Sequence, residues 1–370
     1  MKTHQNPTIL IAVLNWGLGH ATRCMPIIDF FIQENYQVIL ASDGLALDLL
    51  KKEYPTLKSF CLPAYDIKYF SSNFALNIVF QLHKIIWAIR AEHKLLQHIV
   101  KEQDIDLVIS DNRYGCYSKS TKSIFITHQI NIISPYAIFT PFVRWFNHKF
   151  IKRFYECWVP DSGVANANLS GILSHAESFS FTTRYLGIIS RMRQEKRIAD
   201  CDSRGQYDLA VVLSGPEPQR TTFEQEILKQ LLQLKDKKII LIRGLVNERK
   251  HYFIENIEIF NFLQSEELNE VLLSAKAVVC RSGYSSIMDL CKMKKSALLI
   301  PTPGQTEQEY LAKYMQDLGF FPYQHQHELN VNLIFDKEFK RYAPQNVELF
   351  DATNFKEIVR NVINYNDFHS

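Results

Sequence analysis

The sequence has no uninterrupted apolar run near the ~18 residues that a membrane-crossing helix requires, so none is expected. It has no C-x-x-C pair. Its seven cysteines, at 24, 61, 116, 157, 201, 280 and 291, are odd in number and scattered. That argues against a disulfide framework or a zinc site and for the reduced thiols of a cytoplasmic protein. The apolar region of a signal peptide is missing, because Met1-Lys-Thr-His-Gln-Asn-Pro7 runs directly into an apolar stretch at 8–14. The formal net charge is only +3, so charge gives no argument for nucleic acid, and none is expected as a partner. Solenoid repeats and low-complexity segments are also missing.

What is present suits two domains. The 370 residues are 46% hydrophobic and 22% charged, an ordinary globular composition with enough chain for two cores. Short β-rich runs at 9–14, 37–41, 106–110, 123–127 and 157–159 alternate with helical patterns. After a break, runs at 208–213, 238–242, 277–280 and 297–300 do the same. Apolar runs this continuous suit parallel strands covered on both faces, and the alternation predicts an α/β fold of two Rossmann-like doubly wound domains. The charged stretch from Ser190 to Gln206 interrupts it. The predicted division is a first domain over 1–188, a linker over 189–206, a second domain over 207–350 and a terminal segment over 351–370, with a helix near 354–363.

Open α/β sheets bind ligands beyond the carboxyl ends of their strands, so the residues following each strand carry the most weight. In the first half they are Asn15, Gly17, Gly19 and His20, then Asp43-Gly44, Asp111-Asn112-Arg113 and His128-Gln129. In the second half they are Ser214-Gly215, Arg243-Gly244, Arg281-Ser282-Gly283 and Thr302-Pro303-Gly304. Gly17-x-Gly19 before a helix, with Asp43 ending the next strand, evokes a dinucleotide fingerprint. Thr22 holds the third glycine position, so the pattern is incomplete. His20 at the helix start either accepts a proton as a neutral imidazole or caps the helix.

In the second half, Ser282, Gly283, Ser285 and Ser286 open a helix whose free N–H groups and hydroxyls suit a diphosphate. Asp289 lies one turn deeper, where a carboxylate accepts ribose hydroxyls. The plainer reading makes Ser282 an N-cap and Asp289 a solvated helix residue. Gln308 and Glu309 follow the next strand and suit sugar hydroxyls, while Thr306 with Glu309 also spells a capping box. Asp104-Ile-Asp106 spells D-x-D but precedes its strand, so it reads as a solvated turn, and no metal and no cofactor is expected. Thr140-Pro141 reads as N-cap and first helical residue. Beyond it, Val143, Phe146, Phe150, Ile151 and Phe154 share one helical face, and Arg144, His148, Lys149, Lys152 and Arg153 the other. Such a helix suits either packing on its own sheet or peripheral contact with an anionic membrane. A longer pattern at 74–100, with His83, Lys84, Trp87, Arg90 and His93 among apolar residues, is a candidate wall of a binding site.

Taken together, Gly-x-Gly-His20, Arg281-Ser-Gly-x-x-Ser-x-x-Asp289 and Pro301-x-Pro-Gly-x-x-x-Gln308-Glu309-x-x-Ala312 resemble the MurG-like glycosyltransferases, family 28-like enzymes of GT-B architecture. The resemblance implies two domains facing a cleft and a terminal helix crossing back to the first. It implies a nucleotide-sugar donor, UDP-linked, held by the second domain, and a glycan or lipid-linked acceptor on the first. Ser214, Gly215, Arg243, Arg281, Ser282, Gly283, Ser285, Ser286, Asp289, Gln308 and Glu309 would bind the donor. His20 with Asp111 would serve inverting transfer, with Asn15, Gly17 and Gly19 in the first loop and His128 and Gln129 on the acceptor side. The expected location is the cytoplasm, at the inner face of the cell membrane. Two departures stand out: MurG usually has glutamate at the place of Asp289 and a second glutamine at that of Glu309. The string Gly-Leu-Gly-His-Ala-Thr-Arg23-Cys-x-Pro26 is also similar to nucleotide-sugar hydrolases of this fold. A hydrolase or epimerase, and a non-catalytic GT-B binding subunit, are therefore the competing expectations.

Overall fold

The structure, a computed structural model, describes residues 6–65, 81–164, 167–175, 179–194, 207–344, 347 and 355–364. The chain divides into two compact units. One comprises Met1–Trp16, His20–Ile189 and Glu348–Ser370, the other Gly17–Gly19 and Ser190–Val347. Of the expected linker, 195–206 lie outside the described residues, as do 74–80 of the long apolar pattern.

The first unit contains β1 (Thr8–Val13), β2 (Gln37–Ser42), β3 (Lys58–Cys61), β4 (Leu107–Asp111), β5 (Lys122–Ile126), β6 (Glu156–Val159) and β7 (Thr183–Tyr185). They form one sheet in the order β3-β2-β1-β4-β5-β6-β7, with every neighbouring pair parallel. All six residues of β1 are buried, as a strand covered on both faces requires. Helices α2 (Gly44–Glu53), α3 (Leu82–Glu102) and α4 (Thr140–Ile151) belong to the same unit, as does α1 (Leu18–Gln33) from His20 onward. Strand order reverses at β1 and β4, so the loops after those two strands flank the switch point where ligands of such sheets bind.

The second unit has β8 (Tyr207–Val212), β9 (Ile239–Ile242), β10 (His251–Ile254), β11 (Ile257–Phe260), β12 (Ala275–Cys280) and β13 (Ala297–Leu299). Their order is β10-β11-β9-β8-β12-β13, parallel except for the antiparallel β10–β11 hairpin. Its helices are α5 (Gln219–Leu231), α6 (Ser265–Ser274), α7 (Tyr284–Met293) and α8 (Thr306–Asp317). Here the reversal falls at β8 and β12, so Ser214-Gly215 and Arg281-Ser282-Gly283 flank it. Leu209, Val211, Phe223, Ile227, Leu241, Ile259 and Val279 form part of the core. The terminal helix α9 (Phe355–Asn364) packs on the first unit, with Phe355 edge-on to Phe30 at 5.4 Å and Arg360 donating to Glu34 at 2.9 Å. Among the described residues, no helix is long and apolar enough to cross a membrane.

One local expectation needs correction. Phe139, not Thr140, is the N-cap of α4, without a side-chain cap, and Thr140-Pro141 form its first turn. Along the expected apolar stripe Phe150, Ile151 and Phe154 are buried and Val143 and Phe146 half-buried, whereas Phe142 and Trp145, assigned to neither face, are exposed.

The carboxyl ends of β1, β2 and β4 are tied together by Arg113, which is fully buried. Its guanidinium donates to Val13 O at 2.8 Å, to Asp43 Oδ1, and to Glu92 Oε2 of α3 at 3.0 Å. Glu92 also accepts from the Tyr65 hydroxyl at 2.8 Å and Gly115 N–H at 2.6 Å. One cation thus serves two buried carboxyls. Burial pushes Glu92 up to about 8, outweighing its hydrogen-bond donors. A folded value above the unfolded one means that its contribution to stability is full below the ordinary carboxylate range and is lost as pH rises through about 8. The melting temperature of the wild type should therefore fall more steeply between about pH 5 and 8 than that of Glu92→Gln, measured by thermal unfolding in matched buffers.

Candidate active site

In the first unit the switch point holds a compact charged network. Asp111 ends β4 with no exposed surface, beside Val13 at the end of β1. On α1, His20 and Arg23 are one turn apart and so share a helix face. Arg23 grips Asp111 with two bonds, Nε to Oδ2 at 2.5 Å and Nη2 to Oδ1 at 2.6 Å. His20 Nδ1 lies 2.6 Å from Asp111 Oδ1. Arg23 Nη2 also lies 2.9 Å from His20 Nδ1, but it already donates to Asp111 Oδ1 over the shorter 2.6 Å. Two bare lone pairs on His20 Nδ1 and Asp111 Oδ1 would repel at their 2.6 Å separation, so we assign the proton to Nδ1, which leaves Nε2 its lone pair for another partner. Arg23 Nη1 reaches His128 Nδ1 at 2.8 Å. Arginine only donates, so His128 presents its lone pair there and carries its proton on Nε2. Burial alone would push the Asp111 carboxyl up. The Arg23 guanidinium and His20 outweigh it and hold the group well below the usual carboxylate range. The arrangement is an imidazole held in one tautomer by an ionised carboxylate, with its other nitrogen available as a base. His20 retains 17% side-chain exposure, enough for a reactant to approach.

Other first-unit candidates have structural duties. Asn15 donates to Asp43 Oδ2 at 3.1 Å and accepts from Ala46 N–H at 3.2 Å, which fixes the start of α2. Gly44 has φ +49, and a Cβ there would collide with the Asn15 amide, so glycine is required. Asp43 is taken up by Arg113 and Asn15, which removes it as a ribose-binding acid and with it the dinucleotide reading. The backbone of Gln129 accepts from Asn147 at 2.9 Å. Asp106 accepts from Thr8 N–H at 2.8 Å at the amino edge of the sheet, away from the strand ends that bind ligands.

The second unit presents mostly neutral donors. Gly215 has φ +106, and a Cβ there would meet nothing within 4 Å. At Gly283 the nearest atom would be Ser286 Oγ at 4.0 Å. Both loops therefore leave backbone open to close approach. Gly283 is the N-cap of α7, displacing Ser282 from the expected place, and no side chain caps that helix start. Ser282 is fully buried and donates to Gln308 O at 2.8 Å. Arg281, 1% exposed, is turned into the protein: it donates to Gln326 Oε1 at 2.8 Å and to the carbonyls of Gln219, Ile300 and Pro301. Its guanidinium fastens the loops after β12 and β13 to one another. Arg243 is likewise engaged, with Glu224 at 2.6 Å and Asn261 at 3.0 Å.

Asp289 accepts from the Ser190 hydroxyl at 2.5 Å through Oδ1. Burial pushes its carboxyl up to about 6 despite Arg191 and Ser190. Gln308 Oε1 accepts from Thr302 N–H at 2.9 Å, and Glu309 Oε1 from Gly304 N–H at 2.9 Å. The N-cap of α8 is Gln305, which removes the Thr306–Glu309 capping box. Thr302 Oγ1 and Gln305 Oε1 are buried without a hydrogen-bond partner among the described residues, a condition that a polyhydroxyl ligand would relieve.

The sequence pointed to neither Glu92 nor Ser190, and it placed Arg23 only within the hydrolase-like string and Thr302 only among the strand-end residues. For Arg23 a signal existed: three residues past His20, it had to share that helix face. Ser190 and Glu92 come from elsewhere in the chain and leave no local trace.

Two Rossmann-like units with ligand loops at their switch points define the GT-B class. Residues 210–350 match the glycosyltransferase family 28 C-terminal domain. A UDP-N-acetylglucosamine–N-acetylmuramyl-(pentapeptide) pyrophosphoryl-undecaprenol N-acetylglucosamine transferase of Sulfurihydrogenibium sp. is 24% identical over 163 residues, 42% of this chain and 46% of that protein. The chain thus spans about half the length of that relative. A protein named an uncharacterized glycosyltransferase of Methanosarcina acetivorans is 22% identical over 84% of both chains. The crystal structure of Acinetobacter baumannii MurG superposes with a TM-score of 0.57 and 12% identity, covering 98% of this chain and 100% of that one. The second unit is accordingly similar to the C-terminal domain of family 28 glycosyltransferases, and the chain shares the GT-B fold of the MurG structure.

The network predicts an asymmetry in stability. Arg23→Met strands a buried carboxylate and should cost about 3–5 kcal/mol. His20→Ala leaves Asp111 with both arginine bonds and should cost under about 1 kcal/mol. Denaturant unfolding of the two variants measures the difference.

Proposed function

We propose that the protein transfers a sugar from a nucleoside-diphosphate sugar, UDP-linked, to an acceptor hydroxyl with inversion at the anomeric carbon. The observation that carries this is the His20–Asp111 pair, whose geometry leaves His20 Nε2 as a general base. His20 takes the proton of the acceptor hydroxyl as its oxygen attacks the anomeric carbon, and the bond to the diphosphate breaks. Asp111 stabilises the imidazolium so formed. The open backbone at Gly215 and Gly283 and the uncapped start of α7 receive the departing diphosphate without a metal. Asp289 accepts from the ribose, and Thr302, Gln305 and Gln308 address the sugar. The Sulfurihydrogenibium relative's name describes a UDP-sugar donor and an undecaprenol-linked acceptor, which supports the same classes here.

A lipid-linked acceptor at the inner face of the membrane, met from the cytoplasm, belongs to the proposal. Exposed Ile138 (82%), Phe142 (61%) and Trp145 (57%), with Lys149 Nζ 5.1 Å over the Trp145 ring, support peripheral contact of that kind.

Incubation with a panel of nucleotide sugars, with and without lipid-linked acceptors, tests the reaction. Acceptor-dependent release of nucleoside diphosphate is expected, and His20→Ala should lower its rate by about 10²–10⁴ while leaving nucleotide binding intact. Release of free sugar without acceptor, at the full rate, would replace transfer by hydrolysis. No turnover with any donor would remove the enzymatic reading in favour of a binding subunit.

The donor side makes its own prediction. Ribose hydroxyls need the ionised Asp289, so nucleotide affinity should fall as pH drops through about 6. Asp289→Asn should weaken binding by about 1.5–3 kcal/mol at neutral pH and abolish that step, read by calorimetric titration.

A further inference from the structure

Outside the sites above, one surface feature has an unusual make-up. Strand β10 is the edge of the second unit's sheet, and among the described residues no strand pairs with its outer side. All four of its residues are exposed, among them Tyr252 (36%), Phe253 (63%) and Ile254 (36%). Edge strands are normally guarded by a central lysine, a proline, a bulge or an inward-pointing charge. His251-Tyr-Phe-Ile254 has none of these, and its charges sit only at the ends, with Arg249 and Lys250 before it and Glu255 after it.

The backbone register is fixed by the hairpin. Asn261 N–H donates to Lys250 O, so Lys250, Tyr252 and Ile254 turn their backbone groups toward β11. His251 and Phe253 turn theirs outward. An antiparallel pair of identical strands can exchange such outward groups about a two-fold axis. With the axis at Phe253, each Phe253 faces its mate, Tyr252 lies opposite Ile254, and His251 comes beside the second copy's Glu255. Aromatic meets aromatic, apolar meets apolar, and a basic end meets an acidic one.

We infer that β10 is a homotypic docking edge, through which two copies of this chain join the sheets of their second units edge to edge. The occupant is a second copy because antiparallel pairing about Phe253, among the registers its outward groups allow, sets ring against ring and Tyr252 against Ile254, and brings the Arg249-Lys250 end of one strand toward the Glu255 end of the other. A four-residue strand buries less than the ~800 Å² per partner of a standard stable interface, so the dimer is concentration-dependent.

Sedimentation velocity of the full chain across the micromolar range tests the inference. A rising dimer fraction is expected. Phe253→Pro removes the outward N–H and the ring that would face its mate, leaves the β11 ladder intact, and should give a monomer with an unchanged far-ultraviolet circular dichroism spectrum. Register is read separately in a Cys61→Ser, Cys201→Ser background, which removes the exposed thiol among the described residues and the one cysteine outside them. There Phe253→Cys should oxidise to a covalent dimer, since paired residues lie about 5.5 Å apart at Cα, within disulfide range. Tyr252→Cys should not. A wild type that stays monomeric throughout, a dimer that survives Phe253→Pro, or failure of Phe253→Cys to cross-link would each overturn the inference.

Discussion

A carboxylate with no exposed surface must be paired or it takes up a proton, because leaving water costs an isolated charge several kcal/mol. Asp111 is in that position, at the end of β4 where strand order in the first unit reverses. Arg23 meets the demand with two bonds from the neighbouring helix. Once Arg23 is fixed, much else follows. Asp111 stays ionised, its second oxygen sets the proton of His20 on Nδ1, and Arg23 sets His128 in the opposite tautomer. A lysine at 23 would be a poor substitute, since a single ammonium cannot present the planar fork that spans Asp111 and His128 together. In the proposed reaction the nitrogen that acts as base is therefore chosen by a residue that need not touch a reactant.

The second unit deals with charge differently. Its arginines near the sheet edge are consumed by internal partners: Arg281 by carbonyls and Gln326, Arg243 by Glu224, and Arg220 by Glu224 and Glu217. What remains at the strand ends is neutral, the N–H groups of Gly215, Gly283 and the start of α7. Neutral donors anchored in a rigid frame stabilise a developing negative charge with little reorganisation. Under the proposed reaction they would also release a diphosphate more readily than a guanidinium fork, which suits a turnover step better than tight storage.

The sheets were legible because their central strands are continuous apolar runs of the kind only a doubly covered strand tolerates. Strands β3, β7, β10 and β11 were not, for a physical reason. Lys58-Ser-Phe-Cys61, Thr183-Arg-Tyr185 and His251-Tyr-Phe-Ile254 sit toward sheet edges where burial is partial, so apolar continuity is not imposed. Ile257-Glu-Ile-Phe260 alternates, and its two-residue turn from β10 lacks glycine, Glu255 taking φ +52 instead. The positions of His20, Asp111, Gly215 and Gly283 were legible because strand-end residues are placed by topology alone. Their partners were not. The bonds of Asp289 to Ser190 and of Arg113 to Glu92 join distant parts of the chain, and only the folded structure brings them together.

That difference decides function more than residue type does. Asp43 and Asp289 are both carboxylates near strand ends, and on sequence alone either could be assigned to a ribose. Asp43 is saturated: Arg113 holds one oxygen and Asn15 the other, and removing it from that bond would uncover a buried cation. Asp289 meets Ser190 through Oδ1, and burial raises its carboxyl to about 6, outweighing the lowering by Arg191 and Ser190. A group still partly unsatisfied gains most from a ligand hydroxyl, whereas a saturated one must first break what it has. The ribose reading therefore belongs to the second unit, because Asp289 alone of the two retains hydrogen-bonding capacity that the fold has not spent.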